Sequence, residues 1–161
     1  MSACLYRVVA AAGWVAVTIG SASGETPPDP IDIEIARREV HCHVQGGTHT
    51  IEPGFLRRAN LGGEGREYLI LDDGKARCSH GPPAWCGSGG CSVTVFVRAK
   101  NGRLRSLVGR VGQGYTLVQL ASGMELTIHQ RHPYPSRVYR FVNGCVLEME
   151  GDGAIEGSRK C

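Results

Sequence analysis

The sequence predicts an α+β, mainly β domain: one N-terminal helix, then an antiparallel sheet of about six to eight strands, stapled by disulfides. Three observations carry that expectation. One segment, opening at Asp29-Pro30, repeats apolar residues at helical spacing. Beyond it the chain runs through a series of strand-length apolar stretches separated by turn signals, with 23 glycines among its 161 residues. Six of the seven cysteines lie beyond residue 24, an even set of the kind that an oxidising compartment favours.

The first 24 residues read as a secretory signal. A short start with one basic residue, Arg7, precedes the apolar run Val8 to Ile19, and the small residues Gly20 to Gly24 come next. This is the charged, apolar, small-residue order of an export peptide, with cleavage expected after Ala22 or Gly24. The run falls short of the roughly 20 residues that span a bilayer. An uncleaved anchor is the alternative. Residues 25–30 form a spacer, and residues 31–161 form a single domain. About 135 residues suffice for a core of their own, so the disulfides supplement that core. The formal charge of +3 does not mark a nucleic-acid binder.

Asp29 caps the helix, and Pro30 suits its first position. Ile33, Ala36, Val40 and Val44 then form one apolar stripe. The helix ends before Gly46-Gly47. Tyr68 to Leu71 is a strand closed by Asp72-Asp73-Gly74. Val93, Val95 and Val97 alternate with Thr94, Phe96 and Arg98. Asn101-Gly102 favours a tight hairpin turn, because both residues tolerate positive φ. Leu104–Val111, Tyr115–Leu120, Glu125–His129 and Arg137–Val142 are further runs. Asn143-Gly144 is a second hairpin signal, leading into Cys145-Val146-Leu147.

The disulfide candidates are Cys42, Cys78, Cys86, Cys91, Cys145 and Cys161. Cys86 and Cys91 bracket a glycine-rich turn and read as a local staple; their spacing is wrong for a Cys-x-x-Cys redox site. Cys161 reads as a clamp on the tail, with Cys145 its nearest candidate partner. Six cysteines allow 15 connectivities, and spacing does not choose among them.

The stretch from Ile35 to Phe96 resembles a group of small exported (periplasmic) bacterial proteins. The shared pattern is a helix, Cys42, Gly46-Gly47, Pro53-Gly54, a loop at Asn60 to Glu67, and a Cys-Gly-x-Gly-Gly-Cys-like motif at Cys86 to Cys91. The central loop is similar to the calcium loops of FG-GAP-type repeats. Here Gly62 stands where a ligand is expected, although Asn60 and Glu64 offer oxygens. Calcium takes six to eight oxygens, so the loop reads as a turn that has lost its metal. The resemblance implies export and a β-rich fold. It implies no reaction.

Candidate functional residues fall into two groups. Arg98, Lys100, Arg103, Arg105 and Arg110 surround the predicted hairpin turn with no acid among them, and Arg131, Arg137 and Arg140 extend the set. Such a patch attracts an anionic envelope polymer or an acidic protein surface. Its plainer reading is a solvated hairpin whose charges deter edge pairing. The second group is His41, His43, His129 and His132, which a metal-dependent enzyme would use. Their spacing matches no metal motif, and His41 and His43 fall on different faces of a helix. Gly-x-Ser-x-Gly, His-Glu-x-x-His and phosphate-loop motifs are missing.

The sequence therefore predicts an exported, periplasmic or secreted, non-enzymatic binding or structural protein of the bacterial envelope. No cofactor and no metal are expected. An inhibitor of an envelope hydrolase is one alternative; a metal-dependent enzyme built on those four histidines is the other.

Overall fold

The computed structural model describes residues 28–61, 66–150, 153–155 and 159–161. The export segment and half of the spacer, residues 25–27, lie outside the described residues. The helix α1 spans Pro30–Val44. Asp29 caps it, with the Ile31 N–H donating to Asp29 Oδ1 at 3.0 Å. Gln45 closes the far end, and Gly46 continues at φ 76°.

The strands form three antiparallel sheets, where a single sheet was expected. The first is a pair, β1 (His49–Ile51) and β4 (Ala76–Cys78). The second contains β2 (Leu56–Ala59), β3 (Tyr68–Asp72), β5 (Cys86–Gly87), β6 (Gly90–Arg98) and β7 (Leu104–Gly112). The third is β8 (Tyr115–Leu120), β9 (Gly123–Ile128), β10 (Arg137–Val142), β11 (Cys145–Glu150) and β12 (Gly153–Ala154). Eight of these strands have four or more residues; the other four are ladders too short to show a period in the sequence.

The second sheet is the middle layer. Along β3, Tyr68 and Ile70 face a core shared with the third sheet, and Leu69 and Leu71 face a core shared with α1. A strand covered on both sides must be apolar throughout, which explains the unbroken Tyr68 to Leu71 run. β6 divides the same way: Val93, Val95 and Val97 point to the third sheet, and Phe96 points to the helix. On β7 the consecutive Leu107 and Val108 both enter the inter-sheet core. A bulge allows it. Val95 pairs with Val108 and Phe96 with Ser106, so Leu107 is the extra residue.

The third sheet alternates in the ordinary half-buried manner. Leu126, Ile128, Tyr139 and Phe141 point inward, while Arg140 and Glu125 pair across the outer face at 2.9 Å.

The helix stripe requires correction. Ile33, Val40 and Val44 are 42%, 59% and 83% exposed, and Ala36 is not buried. The face turned to the sheet carries Ile31, Ile35, Arg38 and Cys42. Their spacing is equally helical. The face that carries Cys42 and Arg38 is the one buried, because both residues have fixed partners on the sheet side.

The Asn101-Gly102 hairpin forms, but not with both residues at positive φ. Gly102 alone lies there, at 79°. Its N–H donates to Ala99 O at 2.9 Å, and the Ala99 N–H donates to Arg103 O at 2.8 Å. The result is a four-residue turn with a glycine bulge. Asn143 and Gly144, at φ 50° and 72°, make the two-residue turn expected of them.

Three disulfides close the frame: Cys42–Cys78, Cys86–Cys91 and Cys145–Cys161. The first ties α1 to β4, the second joins facing residues of β5 and β6, and the third fastens the tail to β11. Gly47 is needed beside the first. A Cβ there would meet Cys78 Sγ at 2.7 Å and both Cys42 Sγ and the His80 backbone nitrogen at 2.9 Å.

Candidate functional site

The cations around the β6–β7 hairpin do not share one surface. Arg98 is occupied. Its Nε donates to Glu67 Oε2 at 2.8 Å, and its Nη2 reaches both Asp29 oxygens at 3.0 Å. That carboxylate is also the helix cap, so Arg98 clips the hairpin to the start of α1. Hydrogen bonding to Arg98 holds the Glu67 carboxyl below the ordinary range, and the Ile31 N–H first, then Arg98, does the same for Asp29.

Arg110 faces Glu148 at 3.3 Å, and Arg137 joins the same carboxylate at 3.4 Å. Arg105 donates to the backbone oxygen of Cys161. Among the described residues, Lys100 and Arg103 are the two of the five hairpin cations whose side chains pair neither with a carboxylate nor with the tail. Arg103 and Arg105 also diverge. Arg105 serves the tail, whereas Arg103 lines a groove beside the helix.

That groove lies between α1 and the hairpin, with a volume of about 240 Å³. Pro30, Ile33, Phe96 and Leu104 supply apolar lining. Glu34, Arg37 and Arg103 supply charge. Arg37 and Glu34 pair at 2.7 Å, which leaves Arg103 as the groove charge with no partner among the described residues. Of these, Arg103 alone belongs to the binding set that the sequence suggests. Ile33, expected in the core, is half-exposed at the groove wall.

One turn further along α1 lies a buried ion pair. Arg38 Nε and Nη2 donate to Asp73 Oδ1 and Oδ2 at 2.5 and 3.1 Å, and both side chains are buried. Burial pushes the Asp73 carboxyl up, and the guanidinium opposes that shift. The third arm of the guanidinium, Nη1, donates to Glu34 O at 2.7 Å. Outside the pair lies Trp85, whose ring centroid is 4.5 Å from the Arg38 guanidinium carbon. Sequence reasoning missed this assembly. An arginine among apolar stripe positions, together with the Asp72-Asp73 pair, was the available signal.

The four histidines are not brought together. His41 stands beside Trp85, with ring centroids 6.1 Å apart. His43 faces Glu39 at 3.5 Å on the outer side of the helix. His129 meets Thr116 Oγ1 at 2.7 Å on the third sheet, and His132 lies in the loop between β9 and β10. Among the described residues, no group of three or more His, Cys, Asp or Glu side chains is placed to hold a metal ion. Half of the loop expected to be a turn without its calcium, residues 62–65, lies outside the described residues; its end, Glu67, pairs with Arg58 and Arg98.

No helix among the described residues is long and apolar enough to cross a membrane. Comparison of the chain with protein-family models, with curated proteins and with solved structures finds no match.

Proposed function

We propose that this chain is an exported, non-enzymatic binding protein of the bacterial envelope, and that it receives an anionic partner in the groove between α1 and the β6–β7 hairpin. The observation that carries this reading is the make-up of that groove. Apolar side chains line it, and the arginine at its rim, Arg103, pairs with no carboxylate among the described residues. A positive group beside an apolar lining selects an anion with an apolar part. The three disulfides and the signal-like order of residues 1–24 support export.

The test is titration of the protein with polyphosphate and with an oligouronate at low salt. Arg103→Ser should weaken binding severalfold, and Arg105→Ser should not. Added salt should narrow the difference, because ions screen the same attraction. Equal low-salt affinity of Arg103→Ser and parent would remove the groove from consideration.

A further inference from the structure

Trp85 combines three properties that seldom coincide. It is 49% exposed. Its backbone sits at φ 60°, the left-handed region, which is unfavourable for any residue with a Cβ. It is also held by its backbone, by the neighbouring disulfide and by its ring. Its carbonyl accepts from the Ser92 N–H at 2.9 Å, and the Cys86–Cys91 disulfide begins at the next residue. Ala84, just before it, is buried. Its indole rests on a guanidinium that Asp73 and Glu34 already anchor. Backbone strain of this kind persists where the surroundings over-determine it, and such places are concentrated at binding sites.

We propose that Trp85 is a stacking platform for a sugar ring, and that the anionic partner of the adjoining groove is an acidic polysaccharide. The acidic half of this statement rests on the groove reading; the platform stands without it.

The chemistry of the rim selects the guest. A cation is a poor one, because Arg38 already holds one face of the ring and its charge repels a second cation at the other. An apolar protein anchor is also a poor one, since such anchors need a ring of neighbours that excludes water. Here the neighbours are the His41 imidazole, 6.1 Å from the indole, and the Gln45 amide, 2.7 Å from that imidazole. Both are planar hydrogen-bonding groups on the exposed side. A pyranose offers C–H groups from one face to an indole and hydroxyls from its edge to an imidazole and an amide. Arg37 and His41 are four residues apart, hence neighbours on one face of α1, about 5–6 Å between Cβ atoms. A chain of sugars lying on Trp85 therefore reaches the groove within one helical turn.

The experiment follows the Trp85 indole N–H by NMR in the intact protein and measures the affinity of parent and variants by calorimetry, with three probes: a neutral N-acetylglucosamine oligomer, an oligouronate, and polyphosphate. Both sugars should shift the Trp85 signal. Trp85→Gly should weaken both at least about tenfold and leave polyphosphate binding unchanged. Glycine adopts φ 60° freely, so the loop keeps its path; Trp85→Tyr should retain part of the affinity. Arg103→Ser should weaken oligouronate and polyphosphate and spare the neutral oligomer. If neither sugar shifts the indole, or if Trp85→Gly binds both as the parent does, the platform is overturned even where polyphosphate still binds. If the neutral oligomer binds through Trp85 while Arg103→Ser leaves oligouronate binding unchanged, the groove reading falls and the platform is upheld.

Discussion

At the scale of single residues, the Arg38–Asp73 pair decides how α1 sits. Two buried charges at hydrogen-bonding distance are close to neutral as a pair, but removing one strands the other. Arg38→Met should therefore cost about 3–5 kcal/mol in urea denaturation, and Arg38→Met with Asp73→Leu should recover much of that loss. The pH dependence has a definite sign. In Arg38→Met, burial raises the Asp73 carboxyl with no guanidinium to oppose it. A carboxyl raised in the folded state gives up its proton more readily when unfolded, so rising pH favours unfolding. The deficit of the single variant should shrink as pH falls from the raised value to the ordinary aspartate range, and change no further below it. A deficit that grew in acid would mean that Asp73 is not the stranded charge.

At the scale of elements, one clip joins three of them. Arg98 at the end of β6 binds Glu67, just before β3, and Asp29, the cap of α1. Both carboxyls are lowered in the fold. A lowered carboxyl stabilises above its unfolded pKa and loses that contribution as pH falls through the folded one. The melting temperature should drop below the ordinary carboxylate range, and Arg98→Met should flatten that part of the profile. Both partners are partly exposed, so the effect is expected to be modest and to weaken in salt.

The β10–β11 turn gives a sharper expectation. Gly144 at φ 72° has the left-handed backbone of a two-residue hairpin. Gly144→Ala should cost about 1–2 kcal/mol, measurable as a lower denaturant midpoint with an unchanged slope. The corresponding change at Asn143, also at positive φ, should cost less, because alanine replaces a residue that was already strained.

At the scale of the whole molecule, the disulfides join layers that the chain visits far apart. Cys42–Cys78 closes a separation of 36 residues between α1 and β4. Replacing both with alanine should cost about 3–4 kcal/mol in the chain-entropy model. A peptide map without reduction should recover three linked pairs and none of the other pairings.

The strand runs, the helix caps and both hairpin positions were legible in the sequence, because each depends on local chemistry. Asp29 and Pro30 start a helix wherever they stand, and Asn143-Gly144 turns a chain in two residues. The buried face of α1 was not legible. Two stripes of equal helical spacing run along it, and the buried one holds an arginine whose partner lies 35 residues away. Nor did the cluster of cations in sequence translate into a patch in space. Glu67, Asp29 and Glu148 all lie outside the basic run, and folding delivered them to Arg98 and Arg110.

Local pattern was enough to define the class of the fold, the order of its elements and the cysteines available to staple it, since period, turn chemistry and composition act over a few residues. Folding in three dimensions was needed to divide the strands into three sheets, to pair the cysteines, and to neutralise Arg98 and Arg110 while Arg103 meets no carboxylate among the described residues. It also set an indole on an anchored guanidinium. Each of those outcomes is a contact between residues distant in the chain, and packing and charge neutralisation, which local pattern does not encode, selected it.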